Sequence, residues 1–147
     1  MQERFETFTV LINRISRDIR KIKNQEMAVY HLRSIHASCL YYIYSLGSVT
    51  SAELCEHCEE DKATISRAVD YLETNGFLLR DAGAKRYKSP LLLTEKGRDT
   101  GKRIAEKIDG VLETISHALT EEERIEFYRS LSTISRSLEA IVQNSEE

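Results

Sequence analysis

The chain has a single proline, six glycines, three cysteines and no tryptophan in 147 residues. One proline and few glycines leave little material to interrupt long helices, so a mainly helical chain is expected. Three cysteines, an odd number, do not make a disulfide framework, and none is needed at this length. No apolar run approaches the roughly 20 residues of a membrane span. The start, Met1-Gln2-Glu3-Arg4, leads into mixed charge rather than a signal-peptide core. A cytoplasmic location is therefore expected, with no membrane partner. Excess positive charge is lacking too: the net charge is −3. A nucleic-acid partner would then have to meet a local basic stripe. Gly-rich phosphate loops, paired carboxylates and a supported Ser-His-Asp order are all missing, so no catalytic residues and no cofactor are expected.

What is present is helical periodicity. Phe5, Phe8, Leu11, Ile12, Ile15, Ile19 and Ile22 recur at three- and four-residue steps, predicting an amphipathic helix over residues 4–24. A second helix is expected over 33–46, ended by Gly47. Thr50 with Glu53 reads as a capping box for a short helix reaching Cys58. Asp61 reads as the cap of a further helix over 62–75, stopped by Gly76. Ile65, Ala68, Val69 and Leu72 form its apolar face. Residues 77–80 and 90–93 are short apolar runs flanking a polar loop, the pattern of a β-hairpin with Pro90 opening an edge strand. Two more amphipathic helices follow from Thr94 and from the Thr120–Glu123 capping box.

Helix, turn, helix and a two-stranded wing form an arrangement that places its second helix in the major groove of duplex DNA. The candidate DNA-binding residues are Lys62, Ala63, Thr64, Ser66 and Arg67 on that helix and Arg80, Lys85, Arg86 and Lys88 in the wing. Their cations are suited to tracking phosphates. The plainer reading is a solvated charged face. The run Glu56, Glu59, Glu60 and Asp61 lies near the turn and would repel phosphates. It is compatible with a winged-helix module that binds protein instead of DNA.

Residues 64–80, TISRAVDYLETNGFLLR, and residues 93–97, LTEKG, together resemble the MarR family of winged helix-turn-helix transcription regulators. The motif-level likeness spans about residues 32–100; the flanking helices agree only in pattern. It implies one domain over 1–147: a mainly α fold with a small β-hairpin wing, its DNA-binding lobe at 33–98 and dimerisation helices at 4–30 and 100–147. It implies a homodimer on a palindromic operator in double-stranded DNA, acting as a repressor released by a small-molecule effector. The wing departs from the family pattern. Tyr87 stands where the usual wing-tip arginine would be and Lys85 replaces the usual aspartate, leaving Arg86 as a substitute one residue away.

The cysteines and histidines admit several readings. Cys55-Glu56-His57-Cys58 has the Cys-x-x-Cys spacing of half a zinc site, but no second half follows. The resemblance places both cysteines in the core of the short helix. His31, His36 and Cys39, with His117 further on, are compatible with a zinc-responsive member of the family. The family's peroxide-sensing branch uses a cysteine in the first helix, where this chain has none. Tyr30, Tyr41, Tyr42 and Tyr44 are compatible either with an aromatic-ligand pocket or with core packing.

Overall fold

The computed structural model describes residues 5–80 and 87–145. The chain is mainly α, with six helices and one three-stranded antiparallel sheet among the described residues. α1 spans Phe5–Met27 and leads through a 3-10 turn, Ala28–Tyr30, to α2 at Ser34–Leu46. Strand β1, Val49–Thr50, precedes α3, Ser51–Cys58, and α4, Lys62–Thr74. β2 is Leu78–Arg80, β3 is Pro90–Leu93, and α5, Glu95–Ser116, and α6, Glu121–Ser145, complete the order.

Local chemistry explains the boundaries. The Thr50 hydroxyl accepts from the Glu53 N–H at 3.2 Å, while the Glu53 carboxylate accepts from the Thr50 N–H at 2.8 Å. This is the expected capping box. The Asp61 carboxylate accepts from the Thr64 N–H at 2.7 Å and starts α4. Gly47 and Gly76 follow α2 and α4 with φ of 78° and 80°, a conformation that costs residues with a Cβ.

The chain divides into two compact units, Met1–Glu106 and Lys107–Glu147, with the division inside α5. The core of the first unit is built by Leu40 and Ile43 of α2, Leu54 of α3, Ile65, Val69 and Leu72 of α4, Phe77, and Leu78 and Leu91 of the sheet. The second unit has no buried residue in α6, and Ile125, Phe127, Tyr128, Leu138, Ile141 and Val142 are exposed along it.

The wing differs from its expectation in one respect. β3 is the central strand, not an edge: the order is β1-β3-β2, with Val49 opposite Leu91 and Leu78 opposite Leu93. Pro90 is accommodated because it is the first residue of β3, opposite Thr50, where its missing N–H removes little from the ladder. A two-residue strand such as β1 has no alternation to reveal it.

Glycine lets α5 approach this sheet. A Cβ on Gly97 would run into the Phe77 carbonyl, and one on Gly101 would meet the Tyr44 Cβ at 2.9 Å. Thr94 joins the same point: its N–H donates to the Phe77 carbonyl at 3.1 Å and its hydroxyl to the Gly76 carbonyl at 2.6 Å. That hydroxyl also accepts from the Gly97 N–H at 3.0 Å. Lys96 donates to the Asn75 carbonyl and lies 4.2 Å from the Phe77 ring centroid. The Leu-Thr-Glu-Lys-Gly segment thus locks the end of α4 to the start of α5.

Candidate nucleic-acid interface

α4 has two faces of opposite character. Ile65, Ala68, Val69 and Leu72 are buried against the lobe. Lys62, Ala63, Ser66 and Arg67 are exposed, and Thr64 is half-buried. Residues 62 and 66, and 63 and 67, are four apart, so the exposed set forms one patch over the first turns of the helix. Arg67 reaches back to the Thr64 hydroxyl at 3.4 Å. The Asp61 carboxylate is engaged in capping, and its backbone and hydroxyl partners in Thr64 hold it below the usual carboxylate range. Part of the acidic run is therefore committed to structure, while Glu56, Glu59 and Glu60 remain exposed.

Two contacts fix α4 in place that periodicity does not reveal. Tyr71 donates its hydroxyl to the His31 carbonyl at 2.8 Å, and its ring stacks on His36 at 4.6 Å. His31 ends the 3-10 turn in the left-handed region, with φ of 57°. The recognition-helix candidate is thereby tied to the joint between α1 and α2. His36 is buried, and its Nδ1 accepts from the Arg33 N–H at 2.9 Å. Burial, with Arg33 nearby, lowers its pKa from 6.5.

The wing contributes Lys88, which is exposed, and Arg80, whose backbone ends β2 opposite Leu91. Lys85 and Arg86 lie outside the described residues. Tyr87 is the first described residue after them. Its hydroxyl lies 3.5 Å from the Cys55 Sγ, and the Lys62 ammonium lies 4.4 Å from its ring centroid. The residue in the usual wing-tip arginine position thus packs on α3 and α4.

The cysteines also differ from expectation. Cys55 and Cys58 are half-buried rather than core residues, and Cys39 is the buried one. Cys55 faces Tyr87, and Cys58 is the last residue of α3, where the helix surface opens. Among the described residues no group of three or more His, Cys, Asp and Glu side chains is placed to hold a metal ion. Tyr41 and Tyr42 meet edge to face at 5.2 Å and Tyr42 also stacks on His57, while Tyr30 accepts from Arg103 and Tyr44 packs on Gly101.

A helix-turn-helix followed by a β2–β3 hairpin, which β1 from before α3 completes to a three-stranded sheet, with a buried and a basic face on its second helix, defines the winged helix-turn-helix class. Residues 32–86 match the MarR family model. The chain is 28% identical over 85 residues to YwoH of Bacillus subtilis, an uncharacterised HTH-type transcriptional regulator; the match covers 58% of this chain and 62% of that relative. Among solved structures, MepR of S. aureus in complex with DNA aligns with a TM-score of 0.80 at 20% identity, covering 89% of this chain and 97% of MepR. NMB1585, a MarR family regulator of Neisseria meningitidis, gives a TM-score of 0.80 at 18% identity, covering 98% and 99%. A MarR protein of Peptoclostridium difficile gives 0.81 at 19% identity, covering 95% and 92%. These structural likenesses are likenesses of fold.

Proposed function

We propose that the protein is a homodimeric transcription regulator that binds a palindromic site in double-stranded DNA and acts in the cytoplasm. The observation that carries this is the exposed face of α4, where Lys62, Ala63, Ser66 and Arg67 stand opposite a fully buried core face. In this reading α4 enters the major groove, Arg67 reaches a base edge, and Lys62 and Lys88 hold phosphates. Arg80, Lys85 and Arg86 supply further backbone contacts from the wing. Thr64 and Ser66 contribute hydroxyls, and Ala63 gives close approach to the groove.

The dimer supplies the second half-site. It is supported by apolar residues left in solvent: Val10, Leu11, Ile15 and Ile19 on α1, and Ile125, Leu138 and Ile141 on α6. The fold also matches that of MepR, solved on DNA. Repression relieved by a small effector is the mode of action carried over from the family. The protein performs no chemistry of its own in this reading.

Selection of bound sequences from random duplex DNA tests it. An inverted repeat with half-sites about one helical turn apart is the expected product. Recovery of no duplex above background would leave a winged-helix protein-interaction module, for which the exposed Glu56, Glu59 and Glu60 speak.

A further inference from the structure

Tyr71 stands four residues after Arg67, on the same exposed side of α4. Its hydroxyl donates to the His31 carbonyl at 2.8 Å. The preceding residue, Tyr30, accepts from the Arg103 guanidinium of α5 at 2.9 Å. Two helices distant in sequence thus hold the same corner of the chain, through consecutive residues.

We propose that Tyr71 and Arg103 are positioning residues for duplex recognition: through the corner at Tyr30–His31 they lock the roll of α4 about its own axis to the start of α5.

The corner is stiff enough to transmit. The His31 N–H donates to the Ala28 carbonyl and the Leu32 N–H to the Met27 carbonyl, each at 3.0 Å. Met27 and Leu32 on either side are buried. His31 sits at φ 57°, a narrow well for a residue with a Cβ, so the direction of its carbonyl is set. The Tyr71 ring is restrained a second time. It stacks on the buried His36 ring at 4.6 Å with 19° between planes, and the His36 Nδ1 accepts from the Arg33 N–H at 2.9 Å.

The core face of α4 does not supply this restraint. Ile65, Ala68, Val69 and Leu72 are held by burial, which is non-directional, so a helix seated on such a stripe can roll slightly at little cost. A hydrogen bond depends on angle and opposes the roll. Side-chain tips lie ~5–6 Å from a helix axis, so a roll of about 10° carries them about 1 Å. A bidentate contact from Arg67 to a base edge does not survive such a shift. A lysine on a phosphate, acting as a point charge on a flexible stem, does. The lock therefore serves sequence preference more than bulk affinity. This consequence rests on the proposed function; the mechanical link between α4 and α5 does not.

The test uses the full chain with two substitutions that spare the core face of α4. Tyr71→Phe keeps the ring and its stack and loses the O–H. Arg103→Met keeps an unbranched stem and loses the guanidinium. Hydrogen–deuterium exchange without DNA reads the link. Each variant should speed exchange about fivefold over residues 28–34 and also at the Asn75 and Gly76 N–H groups that end α4. Faster exchange confined to 28–34 in Arg103→Met would show that the corner does not transmit. Unchanged exchange in both variants would remove the lock. Anisotropy titrations on selected and scrambled duplexes read the consequence. The ratio of the two affinities should fall about tenfold in Tyr71→Phe and about threefold in Arg103→Met, with the salt slope unchanged. The double variant should lose no more than Tyr71→Phe alone, because a freed Tyr71 leaves Arg103 nothing to transmit. Equal losses on both duplexes would make Tyr71 a phosphate contact and overturn its positioning role, and additive losses would uncouple the two residues. A protein whose exchange behaves as described but whose parent form prefers no duplex would refute the proposed function and leave the link standing.

Discussion

The ammonium of Lys62, at the first position of α4, lies over the ring of Tyr87 at 4.4 Å from its centroid. The same ring places its hydroxyl against the Cys55 Sγ. One wing residue thereby touches both helices of the helix-turn-helix. The ring face attracts the cation and restricts the rotamers of Lys62, leaving its remaining N–H groups free to meet a phosphate. Tyr87→Ala should weaken binding to all duplexes by about threefold, without changing sequence preference. Tyr87→Phe keeps the ring and should retain parental affinity. Anisotropy titrations on specific and scrambled duplexes separate the two. Equal losses in both variants would show that the hydroxyl, not the ring, matters.

Arg67 is the residue we propose reads sequence. It is exposed on the face opposite Val69 and Leu72, one turn into α4. Arg67→Ala should cost about 1–3 kcal/mol on the selected site and relax preference at one position per half-site. Lys88→Ala should instead weaken all duplexes alike and lower the salt slope by about one unit. A salt series on both variants distinguishes these roles.

Gly97 is the point where α5 meets the sheet. A methyl group there collides with the Phe77 carbonyl, which is itself held by the Thr94 N–H. The neighbouring backbone cannot retreat without breaking that hydrogen bond. Gly97→Ala should therefore destabilise the fold by about 3 kcal/mol, despite the better helix propensity of alanine. Urea unfolding reads this directly. A neutral result would show that α5 can shift along Phe77.

His36 predicts a pH dependence. Its folded pKa is below 6.5, so the unfolded chain binds more protons at pH values between the two. Stability then rises with pH through that window and falls as the solution is acidified below about pH 6.5. The charged group that disfavours the imidazolium is Arg33, and the Tyr71 ring covers the other side. His36→Gln keeps an acceptor for the Arg33 N–H, as glutamine does in a capping box. Its unfolding free energy should be flatter from about pH 7.5 to about pH 5. Parallel curves for both proteins would remove His36 from the account.

Ile15 and Ile19 are 51% and 45% exposed on α1, too much apolar surface to be left in water without a partner. Ile15→Glu with Ile19→Glu should convert a dimer to monomer at micromolar concentration in sedimentation. A parental protein that is itself monomeric would refute the proposed dimer.

The sequence by itself determined the helices and their ends, because those are local decisions. The capping oxygens of Thr50 and Asp61, the left-handed glycines 47 and 76, and the helical spacing of Ile65, Ala68, Val69 and Leu72 act within one or two turns of chain. The same residues determined which face of α4 is left for a partner. Tertiary structure alone decided what meets across the fold. β1 exists only because β3 offers Val49 and Thr50 a ladder, which also made β3 central. Tyr71 found the His31 carbonyl, and Tyr87 found Lys62 and Cys55, through packing between separate elements. Periodicity tells which side of a helix is buried, but not which distant side chain it will be buried against. For Cys55 and Cys58 the expected core placement gave way to half-burial, with Cys58 left at the end of its helix beside Lys23.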